Sequence, residues 1–153
     1  MVITFCGHAD FQKNEEYEKK VLEILEKEVA EKSAKFYLGG YGKFDEFAYS
    51  CCKAYKKKHI NVSLVFVTPY ITVEYQKNKL ADEIERYDEI IYPAIENKPL
   101  RFAISYRNRY MIDCSDIVVA FVEREFGGAY KAYKYAQTKS KKIYNLAQKQ
   151  KDA

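Results

Sequence analysis

Short apolar segments alternate with amphipathic helical segments along almost the whole chain. The predicted strands, in chain order, are Val2 to Cys6, Phe36 to Leu38, Val62 to Val67, Ile117 to Val122 and Lys142 to Leu146. Apolar residues recur every three or four positions between the strands, as in Val21, Leu25 and Val29. Strands that alternate with helices form βαβ units and a parallel sheet. The pattern predicts a doubly wound, Rossmann-like α/β domain, with a mostly parallel sheet of about five strands and helices on both faces.

The length and composition fit one globular domain. The chain has 153 residues, of which 48% are hydrophobic and 31% are charged, which excludes a disordered or low-complexity chain. No apolar run approaches the ~18 residues that indicate a membrane span, and the N-terminus lacks the basic region of a signal peptide. We expect a single domain over residues 1–147, a basic tail at residues 148–153, a cytoplasmic location and no membrane partner.

The segment 71–100 is the least regular part of the sequence. Its pattern predicts a helix from about Asn78 to Tyr87 and then a short extended piece at Ile90 to Tyr92. A further helix is expected from about Tyr106 to Cys114, directly before the strand that starts at Ile117.

Cysteine spacing and charge limit the cofactors and partners. The four cysteines form neither a C-x-x-C motif nor a Cys/His cluster with zinc spacing, so we expect free thiols, no metal and no cofactor. The net charge is +4, and from Lys131 to Ala153 there are seven lysines and one acid. We interpret this excess as a solvated helix face and a frayed end. Arginine is scarce, and bidentate arginine is preferred for reading bases, so a nucleic-acid partner is unlikely from composition.

All of the glycines follow predicted strands. They are Gly7, Gly39, Gly40, Gly42, Gly127 and Gly128. Ligands of open parallel sheets bind beyond the carboxyl ends of the strands, where glycine permits close backbone approach and positive φ. The following helices direct free N–H groups toward the same edge, which suits phosphate. The Gly39-Gly40 and Gly127-Gly128 segments also look like a weak internal repeat. The glycines therefore predict one ligand site at this edge, although tight strand-to-helix turns alone would also use glycine.

Four motifs in this order resemble the SLOG superfamily, the Smf/DprA and Lonely Guy proteins. They are Gly7-His8, Gly39-Gly40-x-Gly42-x-Phe44-Asp45, Arg107-Asn108-Arg109-Tyr110-Met111 and Gly127-Gly128. Within that superfamily the chain is most similar to small, stand-alone YspA-like members. The resemblance covers nearly the whole chain and implies a Rossmann-like fold that binds a nucleotide or nucleotide-derived ligand. Relatives of this kind are often dimers or larger, so a homo-oligomer is expected.

Side chains around the glycine turns are the candidate ligand contacts. His8 can donate or accept a hydrogen bond, and Asp45 and Glu46 can accept ribose hydroxyls or favour the helix that they begin. Tyr41 and Tyr70 lie near loops, where a ring can stack on a base. The remaining candidates, from the motifs that carry the resemblance, are Arg107, Asn108, Arg109, Gly127, Gly128 and Ala129. Since Arg107 and Arg109 are two positions apart on a helix, they are expected to point in different directions.

The resemblance also implies an enzymatic alternative. Lonely Guy proteins are phosphoribohydrolases whose glycine motif ends in a glutamate, and Gly39, Gly40, Gly42 and Glu46 match it, whereas Leu38 and Lys43 depart from it. In an N-glycosidase or deoxyribosyltransferase-like enzyme, Glu46 and Arg107 would be catalytic. A carboxylate beside the sugar stabilises an oxocarbenium-like transition state or activates water. At the second glycine turn the matching position is Lys134, which cannot play this part.

Three functions follow from these patterns. The one favoured is non-enzymatic binding or sensing of a nucleotide-type ligand, for example an ADP-ribose-like molecule. The second is cleavage or transfer at the N-glycosidic bond of a nucleotide, and the third is a DprA-like DNA-binding role for the basic tail.

Overall fold

The apolar segments form one parallel sheet, and the computed structural model describes residues 1–70 and 72–148. The six strands are β1 (Val2–Gly7), β2 (Ala34–Leu38), β3 (Val62–Val67), β4 (Glu89–Ile91), β5 (Ile117–Phe121) and β6 (Lys142–Asn145). Their order across the sheet is β4-β3-β2-β1-β5-β6, and every pairing is parallel. The predicted Rossmann-like α/β fold is confirmed, with six strands rather than about five.

Helices cover both faces of the sheet. The main helices are α1 (Glu15–Val29), α2 (Lys43–Lys56), α5 (Ala103–Cys114) and α6 (Gly128–Thr138), and the short helices α3 (Val73–Tyr75) and α4 (Ala81–Glu83) flank a π-helical turn at Gln76–Leu80. Along β5, Ile117 and Val119 pack with α1 and α2, whereas Val118 and Ala120 pack with α5 and α6. This alternation is what a strand buried on both faces requires. Asn14 caps α1 as predicted, since its Oδ1 accepts the Tyr17 N–H at 2.8 Å.

The region after β3 differs from its predicted bounds. The helical segment lies earlier than the predicted Asn78 to Tyr87 and ends at Glu83. Tyr87 follows the helical segment and is buried against the rings of Phe66 and Tyr49, so an apolar residue of the core looked like part of a helical stripe. The expected extended piece is β4, an edge strand. The helix expected from Tyr106 begins at Ala103, after a 3₁₀ turn at Leu100–Phe102.

The order of the strands reverses between β1 and β5. From β1 the chain adds strands outward to β4, then returns to place β5 on the other side of β1. Gly7, the last residue of β1, is level with Phe121, the last residue of β5, and the His8 N–H donates to the Phe121 carbonyl at 3.3 Å. Ligands of doubly wound sheets bind at such a reversal, outside the carboxyl ends of the strands.

Two helices begin with the same glycine conformation. Gly42 precedes α2 with φ 89° and ψ 175°, and Gly127 precedes α6 with φ 92° and ψ 177°. The internal repeat therefore matches Gly42 with Gly127, not Gly39-Gly40 with Gly127-Gly128. The surroundings differ, because a Cβ on Gly42 would lie 2.7 Å from the Ala9 Cα, whereas a Cβ on Gly127 would meet nothing within 4 Å.

No helix among residues 1–70 and 72–148 combines the length and apolar character needed to cross a membrane. Residues 149–153 of the predicted basic tail lie outside the described residues, and the division between domain and tail stays a prediction.

Replacing the two equivalent glycines with alanine is expected to destabilise the fold unequally. Both changes place a Cβ in a backbone region used almost only by glycine, at about 1–3 kcal/mol each. Gly42→Ala adds overpacking against Ala9, which costs about 1–3 kcal/mol more. Urea unfolding of the two variants measures the difference, and equal losses of unfolding free energy would contradict the close approach at Gly42.

Candidate functional site

A cavity of about 230 Å³ opens at the strand reversal, between the ends of β1 and β2 and the helices α5 and α6. Most of the predicted ligand-binding residues line it: Gly7, His8, Gly39, Tyr41, Asp45, Arg107, Asn108, Gly127, Gly128 and Ala129. They come from four separate parts of the sequence, and the topology brings them to one edge of the sheet.

The other predicted site residues lie elsewhere. Gly40, Gly42 and Glu46 line a separate groove beside the starts of α1 and α2. The Tyr70 ring packs against Tyr75, with 5.2 Å between the ring centroids. Arg109 lies over the rings of Tyr106 and Tyr135 in a groove between α5 and α6. As expected from their spacing, Arg107 and Arg109 point in different directions: Arg107 lines the cavity and Arg109 lines the groove between α5 and α6.

Arg107 is a buried clamp at the wall of the cavity, with 2% of its surface exposed. Its Nη1 donates to the carbonyl oxygens of Gly39 at 2.9 Å and Val67 at 2.8 Å, and its Nε donates to Asn108 Oδ1 at 2.9 Å. Burial lowers the pKa of Arg107, but a guanidinium stays charged in proteins. Its Nη2 makes no hydrogen bond with the described residues, so the two N–H donors of this nitrogen stay available.

The guanidinium also explains the glycine at position 39. A Cβ on Gly39 would lie 3.0 Å from Arg107 Cζ and 3.1 Å from Nη2. Contacts this short are tighter than ordinary van der Waals contacts, so the bare glycine backbone lets the guanidinium lie flat against the end of β2.

Asp45 supplies a buried carboxyl group to the same cavity. Its Oδ2 accepts the Tyr41 N–H at 2.8 Å, and Oδ1 makes no hydrogen bond within the described residues. Burial raises the pKa of Asp45 to about 6, although the Arg107 charge and the Tyr41 N–H oppose the rise. Burial and the Asp45 charge raise the pKa of the neighbouring Cys6 thiol to about 12. Cys6 is therefore protonated at neutral pH and is not a nucleophile.

His8 lines the cavity as a neutral donor. Its Nε2 accepts the backbone N–H of Glu123 at 3.0 Å, so the ring proton of the neutral form lies on Nδ1. Burial and the Arg124 charge lower the pKa of His8, which favours this neutral form. Nδ1 makes no hydrogen bond within the described part of the chain and can donate to a ligand.

The two glycine-started helices differ in what occupies their N-termini. At α2 the Lys43 N–H donates to the Ala9 carbonyl at 2.9 Å. At α6 no side chain caps the helix, and the N–H groups of Gly128, Ala129 and Tyr130 have no partner among the described residues. Gly128 and Ala129 line the cavity. No side chain caps α2 either, but its first N–H is already bonded, whereas the first N–H of α6 is unpaired at the cavity and open to an anion.

The rim contains residues that the sequence reasoning missed. Phe126 is 67% exposed and faces the same cavity as Tyr41, which is 64% exposed. Arg124 lines the cavity as well, pairs with Asp10 and lies over the Phe126 ring. Only the position of these residues between β5 and Gly127 hinted at a role, since no motif includes them.

The two residues named for catalysis do not meet at this cavity. Glu46 projects from α2 toward Arg86, with 2.9 Å between Oε2 and Nη2, while Arg107 is bonded to the ends of β2 and β3. Adjacent positions on a helix point in different directions, so Asp45 faces the cavity and Glu46 does not. Within residues 1–70 and 72–148 there is no group of three or more His, Cys, Asp or Glu side chains that could hold a metal ion.

Comparison with known proteins agrees with the fold. No protein-family model matches the sequence. The uncharacterized SPbeta prophage-derived protein YoqJ of Bacillus subtilis is 29% identical over 134 aligned positions, which cover 77% of this chain and 78% of YoqJ.

Three solved structures are similar. DNA processing protein A (DprA) from Helicobacter pylori, in a structure described as showing its unique single-stranded DNA binding mode, matches with a TM-score of 0.64 and 19% identity over 100% of this chain and 68% of that protein. DprA from Streptococcus pneumoniae matches with a TM-score of 0.63 and 14% identity over 92% of this chain, which spans 48% of that protein. The structural genomics target TM1055 matches with a TM-score of 0.56 and 12% identity, covering 93% of this chain and 71% of that one. At these identities the likeness is one of fold, and it agrees with the Rossmann-like fold.

Asp45→Asn is expected to stabilise the protein at pH 7.5 and to have little effect near pH 4. The folded-state pKa of about 6 lies above the ordinary value of 3.8, so the wild-type protein loses stability as pH rises between these values. The loss is complete above the folded pKa and corresponds to about 3 kcal/mol at most.

Urea unfolding at the two pH values measures this effect. Glu46→Gln serves as the control, because Glu46 is exposed and paired with Arg86. A gain in Asp45→Asn of the same size at both pH values would contradict a buried, ionised carboxylate.

Proposed function

We propose that the protein binds a nucleotide or nucleotide-derived ligand in the cavity at the strand reversal, as a YspA-like member of the SLOG superfamily. The observation that carries the proposal is the uncapped α6 N-terminus, which faces a cavity that also contains the buried Arg107 cation. Backbone N–H groups and a fixed positive charge favour a phosphate. Gly127 and Gly128 leave open space there, since a Cβ on either would meet nothing within 4 Å.

The remaining polar groups fit a ribose. Asp45 Oδ1 can accept a hydroxyl hydrogen, and His8 Nδ1 can donate to a ring or hydroxyl oxygen. The cavity volume of about 230 Å³ is smaller than the roughly 300–1,000 Å³ of pockets that enclose a drug-sized ligand. We therefore assign the phosphate and ribose to the cavity and the base to its rim, where the exposed rings of Tyr41 and Phe126 can stack on it.

The side chains at the cavity favour binding of the nucleotide without cleavage. The carboxylate named for N-glycoside cleavage, Glu46, lies outside the cavity, and Cys6 is a protonated thiol. The enzymatic alternative predicts release of free base from a bound nucleotide, so incubation with AMP, ADP and ADP-ribose, followed by chromatography of the products, distinguishes the two.

A second candidate function is binding of single-stranded DNA. The groove between α5 and α6, about 620 Å³, adjoins the cavity and shares Asn108 and Gly128 with it. Its basic and aromatic lining consists of Arg101, Arg109, Lys131, Lys134, Phe102, Tyr130 and Tyr135, and no acidic side chain of the described residues lines it. Cationic grooves with aromatic rings are typical of single-strand binding. The scarcity of arginine disfavoured a nucleic-acid partner in the sequence analysis. The groove itself was not predicted, because its residues come together only when α5 packs on α6.

Gly128→Asp is expected to weaken nucleotide binding without loss of stability. A carboxylate in the first turn of α6 favours the helix by about 0.3–1 kcal/mol, but it repels a phosphate at that helix end. We expect at least a tenfold rise in Kd for AMP, ADP or ADP-ribose by calorimetry, with an unchanged or higher Tm. Lys43→Gln, at the first position of α2, changes the charge by the same one unit; it is the matched control and should leave the affinity near that of the wild type. Equal affinities in wild type and Gly128→Asp would contradict the phosphate assignment.

For the second function, Lys131→Gln combined with Lys134→Gln is expected to weaken binding of a fluorescent oligo-dT strand. Loss of two phosphate contacts should lower the slope of log affinity against log salt by about 1.4. Anisotropy at several salt concentrations measures the slope, with Lys57→Gln and Lys58→Gln at the end of α2 as the matched control. Absence of oligo-dT binding by the wild-type protein at low salt would exclude this function.

A further inference from the structure

Arg124 lies at the cavity, and an acid from a neighbouring loop binds both of its terminal nitrogens. Arg124 lies between β5 and α6 and lines the cavity. Its Nη1 donates to Asp10 Oδ2 at 3.0 Å, and its Nη2 donates to Asp10 Oδ1 at 2.8 Å. This parallel pair of bonds is the arrangement in which arginine binds carboxylate or phosphate groups.

The partner in this pair is reachable from solvent. The Asp10 side chain is 67% exposed, so a carboxylate displaced from Arg124 returns to water and is not left buried and unpaired. By contrast, the Arg124 Nε is buried and has no hydrogen-bond partner. The inner edge of the Arg124 guanidinium is thus shielded from water, while the carboxylate that it binds can move into solvent.

Arg124 and the α6 N-terminus belong to one short stretch of chain. Only residues 125–127 separate Arg124 from Gly128, and Arg124, Gly128 and Ala129 line the same cavity. Two positions that favour anions therefore lie side by side, one made of backbone N–H groups and the other of a guanidinium fork. A single phosphate uses one of them, whereas two linked phosphates can use both.

We propose that Arg124 is a second phosphate-binding position, filled by Asp10 when no ligand is bound, and that the ligand carries a diphosphate. This inference rests on the proposed function and specifies its ligand class: a nucleoside diphosphate or a larger nucleotide that contains a pyrophosphate. The second phosphate takes the place of the Asp10 carboxylate on Arg124, and Asp10 moves into solvent. Asp10 then acts as a competitor that lowers affinity for ligands with one phosphate more than for ligands with two.

The experiment compares AMP with ADP by calorimetry in the wild type, Arg124→Gln and Asp10→Asn. The wild type is expected to bind ADP at least ten times more tightly than AMP. In Arg124→Gln the ratio of the two affinities should fall to near one, because the second position is lost. In Asp10→Asn the affinity for ADP should rise several-fold, because the competing carboxylate is removed. Lys20→Gln, which removes one exposed cation from α1, is the matched control for the change in charge and should keep the wild-type ratio.

The outcomes separate this inference from the function on which it rests. Equal binding of AMP and ADP by the wild type would overturn the diphosphate and leave nucleotide binding in place. Weaker ADP binding by Asp10→Asn would show that Asp10 positions Arg124 instead of competing with the ligand, and would overturn the displacement. Binding of neither nucleotide by the folded wild-type protein would overturn the proposed function itself. Since Asp10 is exposed, Asp10→Asn gives a result even if Arg124→Gln fails to fold.

Discussion

The arrangement of the candidate site depends on one buried guanidinium. Arg107 reaches from α5 to bond the carbonyl groups of Gly39 and Val67, which ties the carboxyl ends of β2 and β3 to the helix that covers them. A buried cation is tolerated when its donors are hydrogen-bonded. The nearby Asp45 charge favours the ionised guanidinium, but this attraction does not offset the cost of burying the Asp45 carboxylate, whose pKa stays raised. The Tyr41 N–H bonds Asp45 Oδ2. The clamp therefore fixes one wall of the cavity and leaves the two N–H donors of Nη2 unused.

The helices α2 and α6 begin with a glycine in the same backbone conformation, but their N-termini have different hydrogen-bond partners. Gly42 and Gly127 start α2 and α6 with nearly the same φ and ψ, but the loop after β1 contacts only the first. The Ala9 carbonyl accepts the first N–H of α2, that of Lys43, so this donor is not available to a ligand. The start of α6 has no such partner. The reversal of strand order between β1 and β5 then places this open helix end beside Arg107 and His8.

The sequence predicted the fold well where the information is local. Alternating apolar segments gave the sheet, and the Asn14 cap marked the start of α1. Features that depend on tertiary packing were missed. Tyr87 looked helical because it is apolar and spaced correctly, although it packs beyond the helix end. Glu46 and Asp45 are adjacent in sequence, and only the orientation of α2 decides which one faces the cavity. Arg124 escaped notice because no motif includes it and its role depends on the meeting of two loops.

The proposed site depends above all on a phosphate that binds the free N–H groups at the start of α6. Backbone amide NMR during a titration with ADP tests this claim most directly. We expect large downfield shifts of the Gly128 and Ala129 amide protons, because they gain a charged acceptor, and little change at the Lys43 amide, which is already bonded to Ala9. Saturable ADP binding with no change in the amide proton shifts of Gly128 and Ala129 would contradict phosphate binding at the start of α6.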